Sequence, residues 1–246
     1  MQPEEGLARL RALGFGEADA AALWDHFDAA EKRGKLGHGY SRIPFLESLE
    51  GYDPTAEPAL VEDTAGFQRW HSGGAVGYLV LARVVREQLE RPPEQTRLVV
   101  CERTFPTGML GYYVRRLAER RLVALLTATS PPRLGPPGGP HVAGTNPLAI
   151  GIPSSDGEPV VVDVSMGAVT HGDVIAGLAT PEQLVPFGGE QWHKALALAL
   201  GLQLLSDALR REDGYGAVLL VARPESDPVP ALRATGIRLP GSADRP

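Results

Sequence analysis

The stretch Gly144-Thr145-Asn146-Pro147-Leu148-Ala149-Ile150-Gly151-Ile152-Pro153, continuing to Pro159-Val160-Val161-Val162-Asp163, constrains the fold of this chain more than any other. It holds two short apolar runs rich in β-branched residues, each bounded by glycine or proline, and each reads as a buried strand. Asn146 precedes proline, which pushes its backbone out of the α region and starts the first run extended. Ser154-Ser155-Asp156-Gly157 supplies residues that tolerate a tight reversal, so the two runs predict a hairpin across 146–163. Asp163 closes three valines. A carboxylate at the end of a buried strand is costly unless paired, so it is either a satisfied structural acid or a functional one.

Around this hairpin, helical and strand patterns alternate irregularly. Residues 4–13 and 17–33 read as amphipathic helices, with Ala20, Leu23, Phe27 and Ala30 on one stripe of the second and His26 as a solvated neighbour. A strand is expected at Ala59–Glu62, followed by a turn at Ala65-Gly66. Ser72-Gly73-Gly74-Ala75-Val76-Gly77 leads into a helix to about residue 90, and His71 before it reads as structural. Thr96–Cys101 is a strand, which makes Cys101 a buried small apolar residue. A helix from about 108 to 120, a strand at Leu122–Thr127 and a last strand at Gly216–Val221 follow. Gln191–Arg211 is apolar nearly all round, as for a helix that is buried or half given to a subunit interface. These elements predict a mixed α/β protein forming one unit over 1–246. A helical part (1–57) and the 191–211 helix pack with a central sheet region (58–190).

Composition narrows the function classes. The net charge of −6 comes without blocks of like charge, which argues against nucleic acid as a partner. The single cysteine forbids an internal disulfide and suits a reducing, cytoplasmic location. No apolar run is long enough to span a membrane, so none is expected as a partner. No Gly-x-Gly-x-x-Gly follows a strand, so the usual dinucleotide fingerprint is missing and a Rossmann arrangement is not expected.

The segment Gly37-His38-Gly39-Tyr40-Ser41-Arg42-Ile43-Pro44 carries the first candidate chemistry. A histidine between glycines has a permissive backbone and little side-chain cover; that suits a ring approaching a ligand and equally an exposed turn. Together with Gly144-Thr145-Asn146-Pro147 and Val161-Val162-Asp163, this segment resembles the malate/L-lactate dehydrogenase family. That family lacks a Rossmann fold and includes ureidoglycolate and sulfolactate dehydrogenases and cyclic-imine reductases. His38, Gly39, Arg42 and Pro44 match the family in register, as do Phe105, Gly111-Tyr112-Tyr113, the loop 129–139, Lys194 and Leu239-Pro240-Gly241.

The resemblance implies a mixed or antiparallel sheet, a homodimer and NAD(P)H as cofactor. It implies a reductase or dehydrogenase of a C=O or C=N bond beside a carboxyl or amide carbonyl. His38 would transfer the proton with Asp163 as its partner, and Arg42 would hold the substrate carboxylate. Thr129, Gly138, Gly139, Thr145, Asn146 and Lys194 would contact the cofactor; for Asn146 a plain turn-capping role stays open. If His38 is only a turn residue, the proton would come from Tyr40, Tyr112 or water.

The chain also departs from the family. Gly37 stands for a serine, Thr104 for a cleft histidine, and His171 and Asp173 for an arginine and a lysine. The segment between Asp173 and Gly188 is shortened as if the cover of the cleft were deleted. These departures suggest a non-standard or larger, even peptide-like, substrate. The alternative is a non-catalytic relative serving as a binding or scaffold subunit.

Overall fold

The computed structural model describes residues 1–242. A seven-stranded sheet organises them, with strands β1 (Ala59–Asp63), β2 (Phe67–His71), β3 (Thr96–Glu102), β4 (Val123–Ala128), β5 (Leu148–Ile152), β6 (Val160–Val164) and β7 (Ala217–Ala222). Their order across the sheet is β1-β2-β3-β7-β4-β5-β6, and every neighbouring pair is antiparallel except β2 and β3. The mixed, mostly antiparallel sheet and the 146–163 hairpin are therefore as expected. Ala149 pairs with Asp163 and Ile152 with Val160 in the hairpin register.

The helices are α1 (Pro3–Ala12), α2 (Glu17–Lys32), α3 (Arg42–Ser48), α4 (Gly77–Glu90), α5 (Leu110–Ala118), α6 (His171–Ile175), α7 (Trp192–Leu209) and α8 (Val229–Arg233). Apolar positions on α4 and α5, among them Leu81, Val84, Tyr113 and Leu117, form one core with Val99 of β3, Leu126 of β4 and Leu219 of β7. A second core joins α1, α2 and α3 to the start of α4 through Leu10, Leu23, Phe27, Ile43, Leu46 and Leu79. α7 buries only Ala195, Leu196, Ala199 and Ser206. Its outer face leaves Leu198, Leu204 and Leu205 at 51%, 65% and 46% exposure.

Four features differ from the sequence reading. β2 was not expected, because Gln68 and Arg69 interrupt its apolar pattern. Both are nonetheless buried, and each is satisfied. Arg69 Nη1 donates to Glu102 Oε1 at 2.7 Å, and Gln68 Oε1 accepts from Gln88 Nε2 at 2.7 Å. Burial of polar groups this well paired hides a strand from a periodicity argument. His26 is not solvated: it is 1% exposed, its Nε2 accepts the Met109 backbone N–H at 3.1 Å, and burial lowers its pKa to about 3, with Arg42 adding to the shift. The short helices α6 and α8 were also unforeseen.

Leu219 is 1% exposed, on the core face of the strand that β3 and β4 share. Leu219→Ala should therefore cost about 2–5 kcal/mol, the range for truncating a leucine in a packed core. Urea unfolding with an unchanged slope and a lowered midpoint is the expected readout; a midpoint within error of wild type would contradict this placement.

Candidate active site

The cleft is built from four loops that the sheet and helices bring together. A 3-10 turn, Leu36–His38, ends at the candidate histidine, and α3 begins four residues later at Arg42. One helical turn brings Arg42 Nη2 back to His38 Nδ1 at 3.4 Å. Arg42 is 6% exposed and its guanidinium lies 5.0 Å from the Phe45 ring centroid. Its Nε has no hydrogen-bond partner, and no carboxylate among the described residues lies within ion-pair distance of it. Burying a guanidinium without a counter-charge is expensive, so the arrangement asks for an anion from outside the chain.

Two glycines explain how α6 meets this segment. A Cβ on Gly37 would come within 2.4 Å of Asp173 Oδ1 and 2.6 Å of the Gly172 carbonyl carbon. A Cβ on Gly172 would lie 2.2 Å from the Gly37 oxygen and 2.3 Å from Arg42 Nη2. The two backbones touch because neither residue carries a side chain, so the cleft is not left uncovered as the shortened sequence suggested. α6 covers one side of it instead. Asp173, which stands where a lysine was expected, spends one oxygen on the start of this helix. Its Oδ2 accepts from the Thr170 N–H and hydroxyl, both at 2.8 Å, while Thr170 Oγ1 accepts from Asp173 N at 3.1 Å. This is a capping box, which satisfies helix-terminal donors reciprocally.

The cleft, with a cavity volume of about 200 Å³, gathers His38, Arg42, Thr129, Thr145 and Asp163. His38 and Asp163 share the lining, but no hydrogen bond joins them among the described residues. Asp163 instead sits against the first turn of α5, where an added Cβ on Gly111 would meet its Oδ2 at 2.9 Å. Burial pushes the Asp163 carboxyl up, opposed by hydrogen bonding from the Gly111 backbone and by the charge of Lys35. A carboxylate at a helix N-terminus is also favoured by the helix dipole.

The remaining candidates divide. Thr129 is buried, and its hydroxyl exchanges hydrogen bonds with Gly216. Asn146 is fully buried at a φ of 26°, with Nδ2 donating to Ala199 O at 2.9 Å and to Gln203 Oε1 at 3.1 Å. Its Oδ1 accepts from Ser130 N at 3.3 Å, so its side chain ties the loop to α7. Gly138 and Gly139 are exposed at the tip of their loop, and Lys194 is exposed on the first turn of α7; none of the three lines this cleft. The fallback proton donors lie elsewhere as well. Tyr40 donates to Asp28 at 2.7 Å and Tyr112 to Asp25 at 2.5 Å, and neither faces the cleft. Thr104 turns its hydroxyl back to Glu102 O.

Residues not singled out from the sequence complete the lining: Lys35, Tyr78, Ser130 and Arg133, the last with no ion pair. The Tyr78 hydroxyl and Ser130 Oγ are buried without a partner. No sequence pattern distinguishes such groups from ordinary core or loop residues; only the fold reveals that they converge. Burial, more than charge, holds the imidazoles of the cleft neutral. Burial pushes His38 well below its ordinary range, and Arg42, His26 and Lys35 add to the shift. Burial, with Arg133 and Arg42, lowers His171 to about 4.

The malate/L-lactate dehydrogenase family profile matches residues 6–180, most of the described chain. The chain belongs to this family. Among curated relatives it is 30% identical over 227 residues to a Δ1-pyrroline-2-carboxylate/Δ1-piperideine-2-carboxylate reductase of Pseudomonas putida, covering 80% of this chain and 65% of that protein. It is 31% identical over 188 residues to the (2R)-3-sulfolactate dehydrogenase (NADP+) of Chromohalobacter salexigens, covering 72% of this chain and 55% of the relative. It thus spans only about 55–65% of the length of these curated relatives. The solved Δ1-piperideine-2-carboxylate reductase of Pseudomonas syringae superposes with a TM-score of 0.82 at 26% identity, covering 98% of this chain and 89% of that one.

Gly172→Ala tests the glycine contact. The methyl group would have to displace the Gly37 carbonyl and the Arg42 guanidinium, which is overpacking of a kind that costs about 1–3 kcal/mol. Thermal unfolding should show that loss, and any ligand held by Arg42 should bind more weakly. Wild-type stability in Gly172→Ala would mean that α6 stands off from the His38 segment.

Proposed function

We propose that this protein is an NAD(P)H-dependent reductase of a C=O or C=N bond adjacent to a carboxylate. The observation that carries the reading is Arg42, a buried guanidinium with no carboxylate within ion-pair distance among the described residues, held 3.4 Å from the ring of His38 inside the cleft. A planar guanidinium grips a carboxylate through two parallel hydrogen bonds. That grip would place the neighbouring C=O or C=N carbon and heteroatom beside His38, within range of proton transfer. The cofactor, when bound, supplies hydride. Ser130 Oγ, Thr145 and the unpaired Arg133 on the opposite lining are of the right chemistry to hold its polar and phosphate groups. The close approach of α6 to the His38 segment and a cavity of about 200 Å³ favour a compact acid over a peptide.

The charges explain how proton transfer and binding would be coupled. In the free cleft, Arg42 helps to keep His38 neutral. A bound carboxylate cancels that charge, so substrate raises the proton affinity of His38 in the complex. By reciprocity, protonation of His38 favours carboxylate binding; because burial holds the ring well below the ordinary histidine range, affinity should strengthen as pH falls below that range. His38→Asn should lower kcat by roughly 10²- to 10⁴-fold, the scale of general acid catalysis, with cofactor affinity unchanged. Arg42→Lys should act mainly on KM for the acid. Turnover of His38→Asn within a factor of two of wild type would remove His38 from the chemistry. A protein that neither quenches NAD(P)H fluorescence nor turns over any 2-oxo or cyclic 2-imino acid would be the non-catalytic alternative.

The outer face of α7 supports a homodimer. Ala197, Leu198, Gly201, Leu204, Leu205 and Ala208 form one exposed stripe. A twofold axis at Gly201 would set Leu198 against Leu204 and Ala197 against Leu205 of a second copy. Light scattering should give twice the chain mass, and Leu204→Lys should shift it to the monomer; a monomer mass for wild type across a dilution series would refute the arrangement.

A further inference from the structure

Tyr78 occupies the second position of α4, and the structure gives its hydroxyl nothing to bond to. The side chain is 2% exposed, its oxygen is buried, and no hydrogen-bond partner reaches it. Every other feature of the residue is fixed. Its carbonyl accepts the Tyr113 hydroxyl at 3.1 Å. Its ring meets His26 edge-on at 5.2 Å and Phe27 at 5.2 Å between centroids. Gly108, at a φ of 69°, lets the two rings close in, since a Cβ there would lie 2.4 Å from Tyr78 Cε1 and 2.5 Å from His26 Nε2. A tyrosine clamped on its ring, with its hydroxyl left without a partner, is costly to fold. That cost is understandable if the hydroxyl has a partner that arrives from outside.

The same cleft supplies the address. Tyr78 lines it together with Arg42, and the charge of Arg42 is felt at the phenol. Arg42 Nε, on the same lining, is also buried without a hydrogen-bond partner among the described residues, as is Nδ1 of His26 behind the Tyr78 ring. We propose that the Tyr78 hydroxyl is a third donor to the substrate carboxylate, completing with Arg42 an anion clamp for the acid end of a 2-oxo or 2-imino acid. Burial raises the phenol's pKa, so the group stays a donor throughout the working pH range. Phenol and guanidinium together fix both oxygens of the carboxylate and its plane, which a guanidinium at one edge does not do alone. The clamp thereby orients the neighbouring carbon toward His38. Tyr40 and Tyr112, whose hydroxyls are bonded to Asp28 and Asp25, have no such freedom.

This inference rests on the reading of Arg42 as the carboxylate anchor, and the test separates the two. Oxalate serves as the probe, with calorimetry and thermal unfolding as readouts that need no turnover. Tyr78→Phe removes only the unpartnered oxygen. The expected result is a thermal midpoint equal to or above wild type, unchanged NADPH affinity, and oxalate affinity weaker by roughly 10-fold or more, the scale of a hydrogen bond to a charged group. With substrate, kcat/KM should fall by a similar factor. Oxalate binding by Tyr78→Phe within twofold of wild type overturns the proposal and leaves the Arg42 reading standing. So does a lowered midpoint, because the hydroxyl would then be bonded within the protein. Absence of oxalate binding by wild type overturns both.

Discussion

β7 enters the sheet last in the chain yet pairs on both its edges, with β3 from Thr96 to Cys101 and with β4 from Val123 to Ala128. Without it the sheet would be two separate three-stranded halves, β1-β2-β3 and β4-β5-β6, each with an open edge. Its apolar run Ala217–Val221 is nearly continuous, as befits a strand flanked on both sides, with Leu220 alone turned outward. The residues that lead into it fix the cleft as well. Tyr215 O accepts the Thr104 N–H at 2.7 Å, and Gly216 exchanges hydrogen bonds with the backbone and hydroxyl of Thr129. The loop before α5 and the loop after β4 are both held from this one crossing. A site assembled from segments near residues 38, 105, 130, 163 and 172 thus depends on the closing of the sheet by its final strand, and non-local pairing of this kind makes folding slow relative to helical proteins.

Much of this was legible in the sequence because the signals were local. The hairpin at 146–163 was set by proline, turn residues and β-branched runs, and the helices at α2, α4 and α7 by their apolar stripes. The family resemblance in the 37–44 segment pointed to His38 and Arg42, which the structure brings together. What escaped notice was of two kinds. β2 carries buried Gln68 and Arg69, whose partners Gln88 and Glu102 lie on other elements, so the strand's polarity makes sense only after folding. His26 reads as a surface helix residue from its acidic neighbours, yet the packing of Tyr78, Tyr112 and Tyr113 rings encloses it. Polar groups satisfied by distant partners leave no periodic trace.

The departures from the family were harder to interpret from sequence than to find. Losing a side chain at Gly37 read as loss of a chemical group. In the structure it is a steric requirement, because Gly172 and Asp173 occupy the space where a side chain would stand. The lysine-to-aspartate exchange at 173 likewise read as a reversal of charge in the cleft. Much of that charge is spent on the capping box with Thr170, which starts the short helix that closes the site. In this chain the two positions work together: α6 starts against Gly37 with both a cap and a partner without a Cβ. The two exchanges therefore count as one rearrangement of backbone.

That rearrangement leaves the electrostatics of the cleft unbalanced in a specific way. Arg42 and Arg133 have no ion pair, Lys35 adds a third cation, and the nearest acids are tied down, Asp163 at the first turn of α5 and Asp173 in its cap. Two histidines on the lining, His38 and His171, are pushed toward the neutral form by burial, with the cations adding to the shift. A neutral imidazole is a much weaker acid than an imidazolium, so the free protein is set more for binding than for reduction. Only a ligand bearing negative charge corrects the imbalance, and it does so at Arg42, next to His38. Binding energy from the carboxylate is thereby converted into proton affinity at the ring beside it. An uncharged amide in place of the carboxylate would fill the same space and leave His38 neutral, so discrimination between acid and amide would fall on turnover more heavily than on binding.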